Sequence, residues 1–164
     1  MDYLAGFREI KAMVFDIDGV FTDNQILVTE DGQFFLIMNV RDGYAVKRAI
    51  QAGIKIGIIS GGKSIGTKKR MEVLGVTDVH LGIEEKLPVM IKLLEDWNVK
   101  LTECAYMGDD ILDIDCMKTS NLGACPKDSV PEVIKIAQYI SPYNGGEGCV
   151  RDFVEKILEA KNLW

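Results

Sequence analysis

The chain has 164 residues, 48% of them hydrophobic and 27% charged, with a formal net charge of −6 at pH 7. This length predicts one globular domain over residues 1–164, and the acidic balance without a long basic run argues against nucleic-acid binding. No apolar stretch approaches the ~20 residues of a membrane helix and no signal peptide precedes the first predicted strand, so we expect a cytoplasmic protein without a membrane partner. The four cysteines form no CxxC pair, which favours reduced, buried thiols.

Short apolar runs alternate with amphipathic stretches along the chain. The predicted strands are residues 11–15, 54–59, 77–81, 103–107, 121–125 and 138–141, and the predicted helices are residues 43–52, 64–74, 86–98, 110–118, 130–137 and 148–160. This alternation predicts an α/β fold in three layers, a parallel sheet with helices on both faces. Gly53 and Gly75 stand where helix C-terminal glycines are expected.

A predicted β-hairpin at residues 25–38 interrupts the alternation. Its strands, residues 25–29 and 33–38, are joined by a short turn that contains a glycine. The second strand is apolar on both faces from Phe34 to Ile37, and a hairpin that projects from a small domain cannot bury both faces by itself. We therefore expect the hairpin to contact another subunit; the alternative is that it packs on its own domain.

Acidic side chains follow two of the predicted strands at the point where each strand ends. Asp16 and Asp18 come directly after the first strand, and Asp109 and Asp110 follow the strand at residues 103–107. In an open α/β sheet the carboxyl ends of the strands carry the active site. Carboxylates this close repel each other unless a cation or a proton lies between them, and Mg²⁺ suits clustered oxygen ligands. The sequence therefore predicts a magnesium site at this edge of the sheet.

Two further polar groups complete an ordered set along the chain. Ser60, followed by Gly61 and Gly62, ends the second core strand, and Lys86 opens a helix. The gaps between the groups are short, because 41 residues separate Asp18 from Ser60 and 25 separate Ser60 from Lys86. The hairpin and one helix fill the first gap. Neither gap therefore holds an additional cap domain, and the predicted site is open unless another subunit covers it.

The ordered set resembles the haloacid dehalogenase superfamily of phosphotransferases, over nearly the whole chain from about Lys11 to the C-terminal helix. The members of the set are Asp16, Asp18, Ser60, Lys86, Asp109 and Asp110. The flanking segments at residues 39–44, 59–64, 106–110 and 145–148 are similar to the capless branch of the family. That branch includes phosphatases of eight- and nine-carbon 2-keto-3-deoxy sugar acid phosphates. The resemblance implies a homotetramer in which the hairpins assemble and a neighbour's C-terminal tail, residues 142–164, approaches the site.

The resemblance also implies the chemistry of the aspartates. Asp16 would attack phosphorus and form an aspartyl-phosphate, and Asp18 would act as general acid and then as general base. Mg²⁺ would bind the Asp16 carboxylate, the Asp18 backbone carbonyl and Asp109. An aspartate at position 18 favours a phosphatase with rapid turnover of the intermediate, although a phosphomutase would carry it as well.

The remaining members of the set have implied roles around the transferred group. Ser60 and the Gly61 backbone would hold the phosphoryl oxygens, because glycine allows close approach and a helix start favours anions. Lys86 would neutralise charge between the nucleophile and the phosphoryl group. Asp110 would orient the site, and Asp113 would support the metal ligand one turn before it unless it is only a first-turn helix acid.

Five further residues are candidates for substrate contact: Thr22, Arg41, Gly43, Gly62 and Lys63. Arg41 could pair bidentately with a substrate carboxylate. Phosphatases of the eight-carbon substrate typically carry an arginine in a Gly-Gly-Xaa-Gly segment near the C-terminus, where this chain has Glu147. The loss of that cation favours the nine-carbon substrate over the eight-carbon one.

The sequence leaves other functions open. A phosphomutase or a broad-specificity sugar phosphatase would carry the same residues. A non-catalytic oligomerisation module need not keep the whole ordered set, and a receiver-like phosphoacceptor domain does not account for Asp18. A Ser-His-Asp hydrolase would have to use His80, the one histidine of the chain, and no nucleophile elbow is present.

Overall fold

The computed structural model describes residues 3–164, with side chains from Ala5 onward. The strands in this range are β1 (Ala12–Phe15), β2 (Leu27–Val28), β3 (Phe34–Phe35), β4 (Lys55–Ile59), β5 (Asp78–His80), β6 (Cys104–Met107), β7 (Leu122–Cys125) and β8 (Tyr139–Ile140). The helices are α1 (Tyr3–Arg8), α2 (Val40–Gln51), α3 (Ile65–Leu74), α4 (Lys86–Asp96), α5 (Ile114–Thr119), α6 (Pro131–Ile136) and α7 (Cys149–Ala160). Short 3₁₀ turns at Leu101–Glu103 and Ile111–Asp113 precede β6 and α5.

Six of the strands form one parallel sheet in the order β5-β4-β1-β6-β7-β8. Phe15 at the end of β1 is aligned with Ile58 of β4 on one side and with Met107 of β6 on the other. The strand order runs outward from β1 in both directions, which makes the carboxyl end of β1 the topological switch point of the sheet. The residues that follow β1, β4 and β6 therefore meet at one place.

Alternate residues of β1 face the two sides of the sheet, as the period-two geometry of a strand requires. Met13 and Phe15 belong to a core built with α1, α2, α3 and α7. Ala12 and Val14 belong to a second core built with α4, α5 and α6. The predicted three-layer α/β fold is confirmed, and within residues 3–164 no cap domain is inserted between these elements.

Two helix starts differ from the prediction because polar side chains set them. Helix α2 begins at Val40, three residues early, since the Asn39 side chain accepts hydrogen bonds from the backbone N–H groups of Arg41 and Asp42. The helix predicted at residues 110–118 begins instead with the 3₁₀ turn, because Asp113 is engaged by the loop before it.

Helix α1 was not predicted from the sequence. It adds Phe7 to the core beside β1. Gly53 and Gly75 adopt φ of +86° and +90° just past α2 and α3, in the left-handed conformation expected of C-terminal glycines.

All four cysteines are buried and free, as predicted. No helix within the described range is long and apolar enough to cross a membrane.

The predicted hairpin is present but its paired strands are only two residues each, with Leu27 opposite Phe35 and Val28 opposite Phe34. Its apolar side chains face solvent in this chain: Phe34 is 67% exposed and Ile37 is 82% exposed. A groove of 490 Å³ separates the second strand from the start of α3. Two paired residues per strand cannot hold a hairpin in isolation, and the exposed apolar surface is large for so short an element.

Candidate active site

The carboxyl ends of the three central strands and the start of α4 bring the predicted set together. Asp16 follows β1, Ser60 follows β4, Asp109 lies two residues beyond β6, and Lys86 is the first residue of α4. The Asp16 backbone N–H donates to the carbonyl oxygen of Met107 at 3.1 Å, which extends the sheet to the nucleophile position. All four side chains are buried even though they are polar.

A buried amine links two of the carboxylates. The Lys86 Nζ lies 3.0 Å from Asp16 Oδ2 and 2.8 Å from Asp113 Oδ1, and Lys86 is only 3% exposed. Burial alone would lower the pKa of Lys86, but the charges of Asp113 and Asp16 outweigh it and hold that pKa above its usual value. Lys86 is therefore a fixed positive charge beside the predicted nucleophile.

Asp113 is an anchor of the site and not a free ligand. Its Oδ1 accepts from Lys86 Nζ and from the Tyr106 hydroxyl at 2.6 Å, and its Oδ2 accepts from the backbone N–H groups of Asp109 at 3.0 Å and Asp110 at 3.2 Å. One oxygen each of Asp16, Asp109 and Asp113 lie within 4.8 Å of one another, a cluster that could hold a metal ion. Because four donors occupy Asp113, its oxygens have less capacity left for a metal ion than those of the other two aspartates.

The loop after β4 lies against Asp18. The Ser60 hydroxyl accepts from the Gly62 N–H at 3.3 Å. A Cβ placed on Gly62 would lie 3.2 Å from Asp18 Oδ2 and 3.6 Å from Ser60 Oγ, so glycine lets this loop approach the second aspartate closely. Gly61 and Lys63 are exposed beside it. The loop therefore offers backbone and hydroxyl groups at the mouth of the site.

The electrostatics of the aspartates favour a cation. Burial, and next the charge of Asp113, raise the pKa of Asp16 to about 8 although Lys86 lies beside it. Burial raises the pKa of Asp109 to about 6 and also raises the pKa of Asp18. Burial and neighbouring negative charge oppose the ionised form of these carboxylates, and a hard divalent cation bound among them would favour that form. The residues present therefore fit Mg²⁺.

Comparison with known proteins agrees with this geometry. Residues 84–153 match the family model described as haloacid dehalogenase-like hydrolase. The 3-deoxy-D-manno-octulosonate 8-phosphate phosphatase of Escherichia coli K12 is 32% identical over 160 residues, covering 98% of this chain and 85% of the relative. The chain belongs to the haloacid dehalogenase-like hydrolases.

Two solved structures of the family superpose over nearly the whole chain. The phosphatase of the same name from Yersinia pestis has a TM-score of 0.96 at 30% identity, covering 98% of this chain and 87% of that one. The enzyme from Moraxella catarrhalis, in complex with magnesium, phosphate and KDO, has a TM-score of 0.95 at 29% identity, covering 98% and 92%. The predicted family, its phosphatase class and its fold are confirmed.

Two residues that shape this haloacid dehalogenase-like site are not predicted from the sequence. Asn24 has φ of +67°, and its Nδ2 donates to Asp109 Oδ2 at 2.8 Å. Tyr106 lies inside β6, where its hydroxyl reaches Asp113. A polar group in an otherwise apolar, fully buried strand is a signal that the sequence did contain.

The structure separates the candidate substrate residues into two groups. Thr22 is buried, and its Oγ1 accepts from the N–H groups of Gly19 and Asn24, so its hydroxyl is used within the loop after β1. Gly43 is buried against α3, where a Cβ would lie 2.5 Å from the Arg70 guanidinium, which makes it a helix-packing position. Gly62, described above, lies inside the site.

The other predicted positions lie at the rim. Arg41 is exposed and lines a groove of 670 Å³ together with Tyr143, Glu147 and Arg151. Asp110 is exposed, and its carboxylate accepts from the N–H of Ile111 at 2.7 Å, which starts the 3₁₀ turn. These charged groups are accessible to a polar substrate or to a neighbouring chain.

Proposed function

We propose that this hydrolase is a Mg²⁺-dependent phosphatase of a phosphorylated 2-keto-3-deoxy sugar acid and that it acts through an aspartyl-phosphate. One observation carries the proposal: Asp16 lies at the switch point of the sheet, 3.0 Å from the buried Lys86 and within one oxygen cluster with Asp109. The related enzyme from Moraxella catarrhalis, solved in complex with magnesium, phosphate and KDO, supports this proposal.

The first half of the reaction follows from the positions of Asp16 and Asp18 after β1. Asp16, ionised, would attack phosphorus in line, and the ester bond to the sugar oxygen would break. Asp18, whose pKa is raised by burial, is suited to protonate that leaving oxygen. In the second half, Asp18 would take a proton from the water that attacks the aspartyl-phosphate, and inorganic phosphate would leave.

Charge on the transferred group would be balanced from several sides. Lys86 supplies a buried positive charge next to Asp16. The Ser60 hydroxyl and the Gly61 N–H would donate to phosphoryl oxygens, while the Gly62 N–H donates to Ser60 Oγ and holds that hydroxyl in the loop before α3. Bound Mg²⁺, held by Asp16, the Asp18 carbonyl and Asp109, would add electrostatic stabilisation of the equatorial oxygens.

The proposed sugar acid has two candidates. The named relatives act on the eight-carbon 3-deoxy-D-manno-octulosonate 8-phosphate, which supports that substrate. Glu147 favours the nine-carbon keto-deoxy acid 9-phosphate, since it stands where phosphatases of the eight-carbon substrate typically carry an arginine, and it lies exposed on the groove that Arg41 and Arg151 line. Both compounds share the carboxylate, the keto group and the phosphomonoester that the site is proposed to recognise.

Steady-state kinetics with the two compounds side by side test this proposal. We expect one of them to exceed simple phosphomonoesters such as p-nitrophenyl phosphate by at least about tenfold in kcat/KM, since a hydrogen-bonded subsite discriminates by about 1.4 kcal/mol or more. Equal kcat/KM across a broad panel of sugar phosphates would instead identify a broad-specificity phosphatase. Isomerised phosphate esters without release of phosphate would identify a phosphomutase.

We also propose that the chain works as a homotetramer assembled through the hairpin. The support is the exposed apolar surface of residues 26–37 and the absence of a cap over the site within the described range. In such an assembly the tail at residues 142–164 of one subunit would approach the site of another.

A further inference from the structure

Asn24 occupies a backbone conformation that few side chains tolerate. Its φ of +67° lies in the left-handed region, where glycine and asparagine are the usual residues. Glycine would satisfy the backbone alone. Asparagine adds a carboxamide, and its Nδ2 donates to Asp109 Oδ2 at 2.8 Å across 85 positions of sequence. The side chain therefore joins the loop after β1 to the loop after β6.

The contact is possible only because Gly19 has no side chain. A Cβ on Gly19 would lie 1.9 Å from Asp109 Oδ2 and 2.5 Å from Asn24 Nδ2. Gly19 itself has φ of +80°. The carboxylate of Asp109 and the amide of Asn24 thus meet directly over the glycine that follows Asp18.

The loop that carries Asn24 is fixed from two directions. Thr22 Oγ1 accepts from the backbone N–H groups of Gly19 at 3.2 Å and Asn24 at 3.4 Å. On the opposite side the Gly146 N–H donates to the Val20 carbonyl at 3.0 Å, and a Cβ on Gly145 would lie 1.9 Å from the Gly19 carbonyl oxygen. The amide of Asn24 is therefore a positioned donor.

Asp109 receives one further restraint from its own backbone, because its N–H donates to Asp113 Oδ2 at 3.0 Å. The backbone restraint fixes where the residue lies, and the amide restraint fixes how its carboxylate is turned. A carboxylate with one oxygen held in this way can present the remaining lone pairs to a cation in one orientation only.

We propose that Asn24 is a positioning residue for the metal site, acting through Asp109. The inference rests on the proposed function only for the presence of Mg²⁺. Asn24 itself would touch neither the metal nor the transferred phosphoryl group. Its removal should lower metal affinity and leave the metal-saturated enzyme nearly as active as the wild type.

The test uses Asn24→Gly, which keeps the left-handed backbone and removes the amide. Asn98→Gly is the matched control, because Asn98 has φ of +54° and lies exposed past the end of α4. Isothermal titration of the full-length proteins with Mg²⁺ should give a Kd about tenfold higher for Asn24→Gly and an unchanged Kd for Asn98→Gly. At saturating Mg²⁺, kcat of Asn24→Gly should stay within about twofold of wild type.

A double variant tests the route through Asp109. In an Asp109→Asn background, Asn24→Gly should change metal affinity little further, since the partner that it orients is already altered. An unchanged Kd in Asn24→Gly, or an equal loss of affinity with and without Asp109, would overturn the inference. A wild-type chain that binds no Mg²⁺ would overturn it too. A wild type that binds Mg²⁺ but hydrolyses no phosphomonoester would refute the proposed function and leave the effect of Asn24 measurable.

Discussion

Lys86 Nζ lies 3.0 Å from Asp16 Oδ2, and the amine has a second carboxylate partner in Asp113 at 2.8 Å. A buried ion pair that loses one partner is usually destabilised, because the remaining charge is left without compensation. Here Asp113 compensates the charge of Lys86 whether or not Asp16 is ionised. The nucleophile position can therefore be changed without leaving an unpaired buried charge.

Asp16→Asn should abolish turnover while the protein stays folded. The amide cannot act as the anionic nucleophile, so kcat should fall by about 10³-fold or more, while circular dichroism and the unfolding midpoint stay close to wild type. Phosphate release under multiple-turnover conditions measures the effect, and mass spectrometry excludes deamidation back to aspartate. Substantial turnover by intact Asp16→Asn would rule out the covalent mechanism.

Removal of divalent metal should stop the reaction, and Mg²⁺ should restore it. The buried aspartates cannot all ionise near neutral pH without a cation, since burial raises the pKa of Asp16 to about 8 and that of Asp109 to about 6. Binding to the native state should also stabilise the fold, by about 2.7 kcal/mol at 100 times the Kd. Thermal melts in EDTA and in excess Mg²⁺ measure this, and full activity after exhaustive chelation would contradict the prediction.

Strand-end residues could be predicted from the sequence because parallel topology places them together. Asp16, Ser60 and Asp109 each follow an apolar run, and once the sheet is parallel their meeting point is set by the switch at β1. Local spacing was enough for this part of the site. Lys86 was harder, since a lysine at a helix start is usually solvated, and only its place in the ordered set distinguished it.

The contacts that refine the site depend on features that spacing does not encode. Asn24 reaches Asp109 because of a left-handed turn, and a turn conformation is not fixed by a run of polar residues. The strand pattern marks Tyr106 as a polar residue among apolar ones, but the contact of its hydroxyl with Asp113 depends on how the loop after β6 folds back. The hairpin strands proved shorter than predicted, because an exposed two-stranded ribbon has little packing to extend its ladder.

Asp42 joins α2 to the start of α7. Gly148 occupies the N-cap of α7 and offers no side chain, and the buried Asp42 carboxylate accepts instead from the N–H of Arg151 at 2.8 Å and from that of Gly148. Its Oδ2 has no hydrogen-bond partner within the described part of the chain. Burial raises the pKa of Asp42 to about 6 despite these donors.

This raised pKa predicts a pH dependence of stability. Between about pH 4 and pH 6 the folded state keeps the Asp42 proton and the unfolded state has lost it, so stability falls as pH rises through this window. A rise from 3.8 to about 6 corresponds to about 3 kcal/mol. Asp42→Asn, which stays neutral and keeps one acceptor oxygen, should lack this contribution.

Urea denaturation of wild type and Asp42→Asn at a series of pH values measures the effect, because contributions common to both proteins cancel in the difference. The free energy of unfolding of the wild type should decline relative to that of the variant by up to about 3 kcal/mol between pH 4 and pH 7. Parallel curves would show that Asp42 keeps an ordinary pKa in the folded protein.

The hairpin should be the surface through which copies of the chain assemble. Phe35 is 49% exposed and Ile37 is 82% exposed on an element that cannot bury them itself. Changing both to aspartate should place like charges in the interface and dissociate the proposed tetramer, with KM raised more than the fold is disturbed. Val73→Asp is the matched control, because Val73 is 67% exposed but lies on α3.

Light scattering at assay concentrations distinguishes the outcomes of this last experiment. The Phe35 and Ile37 variant should run as a smaller species with a preserved unfolding midpoint, while Val73→Asp should keep the mass of the wild type. Since the site has no cap in the described range, separation of the subunits should expose it to solvent and weaken substrate binding. A wild-type monomer with normal kcat/KM would refute both the hairpin interface and the shared site, because one chain alone would then hold everything that the reaction requires.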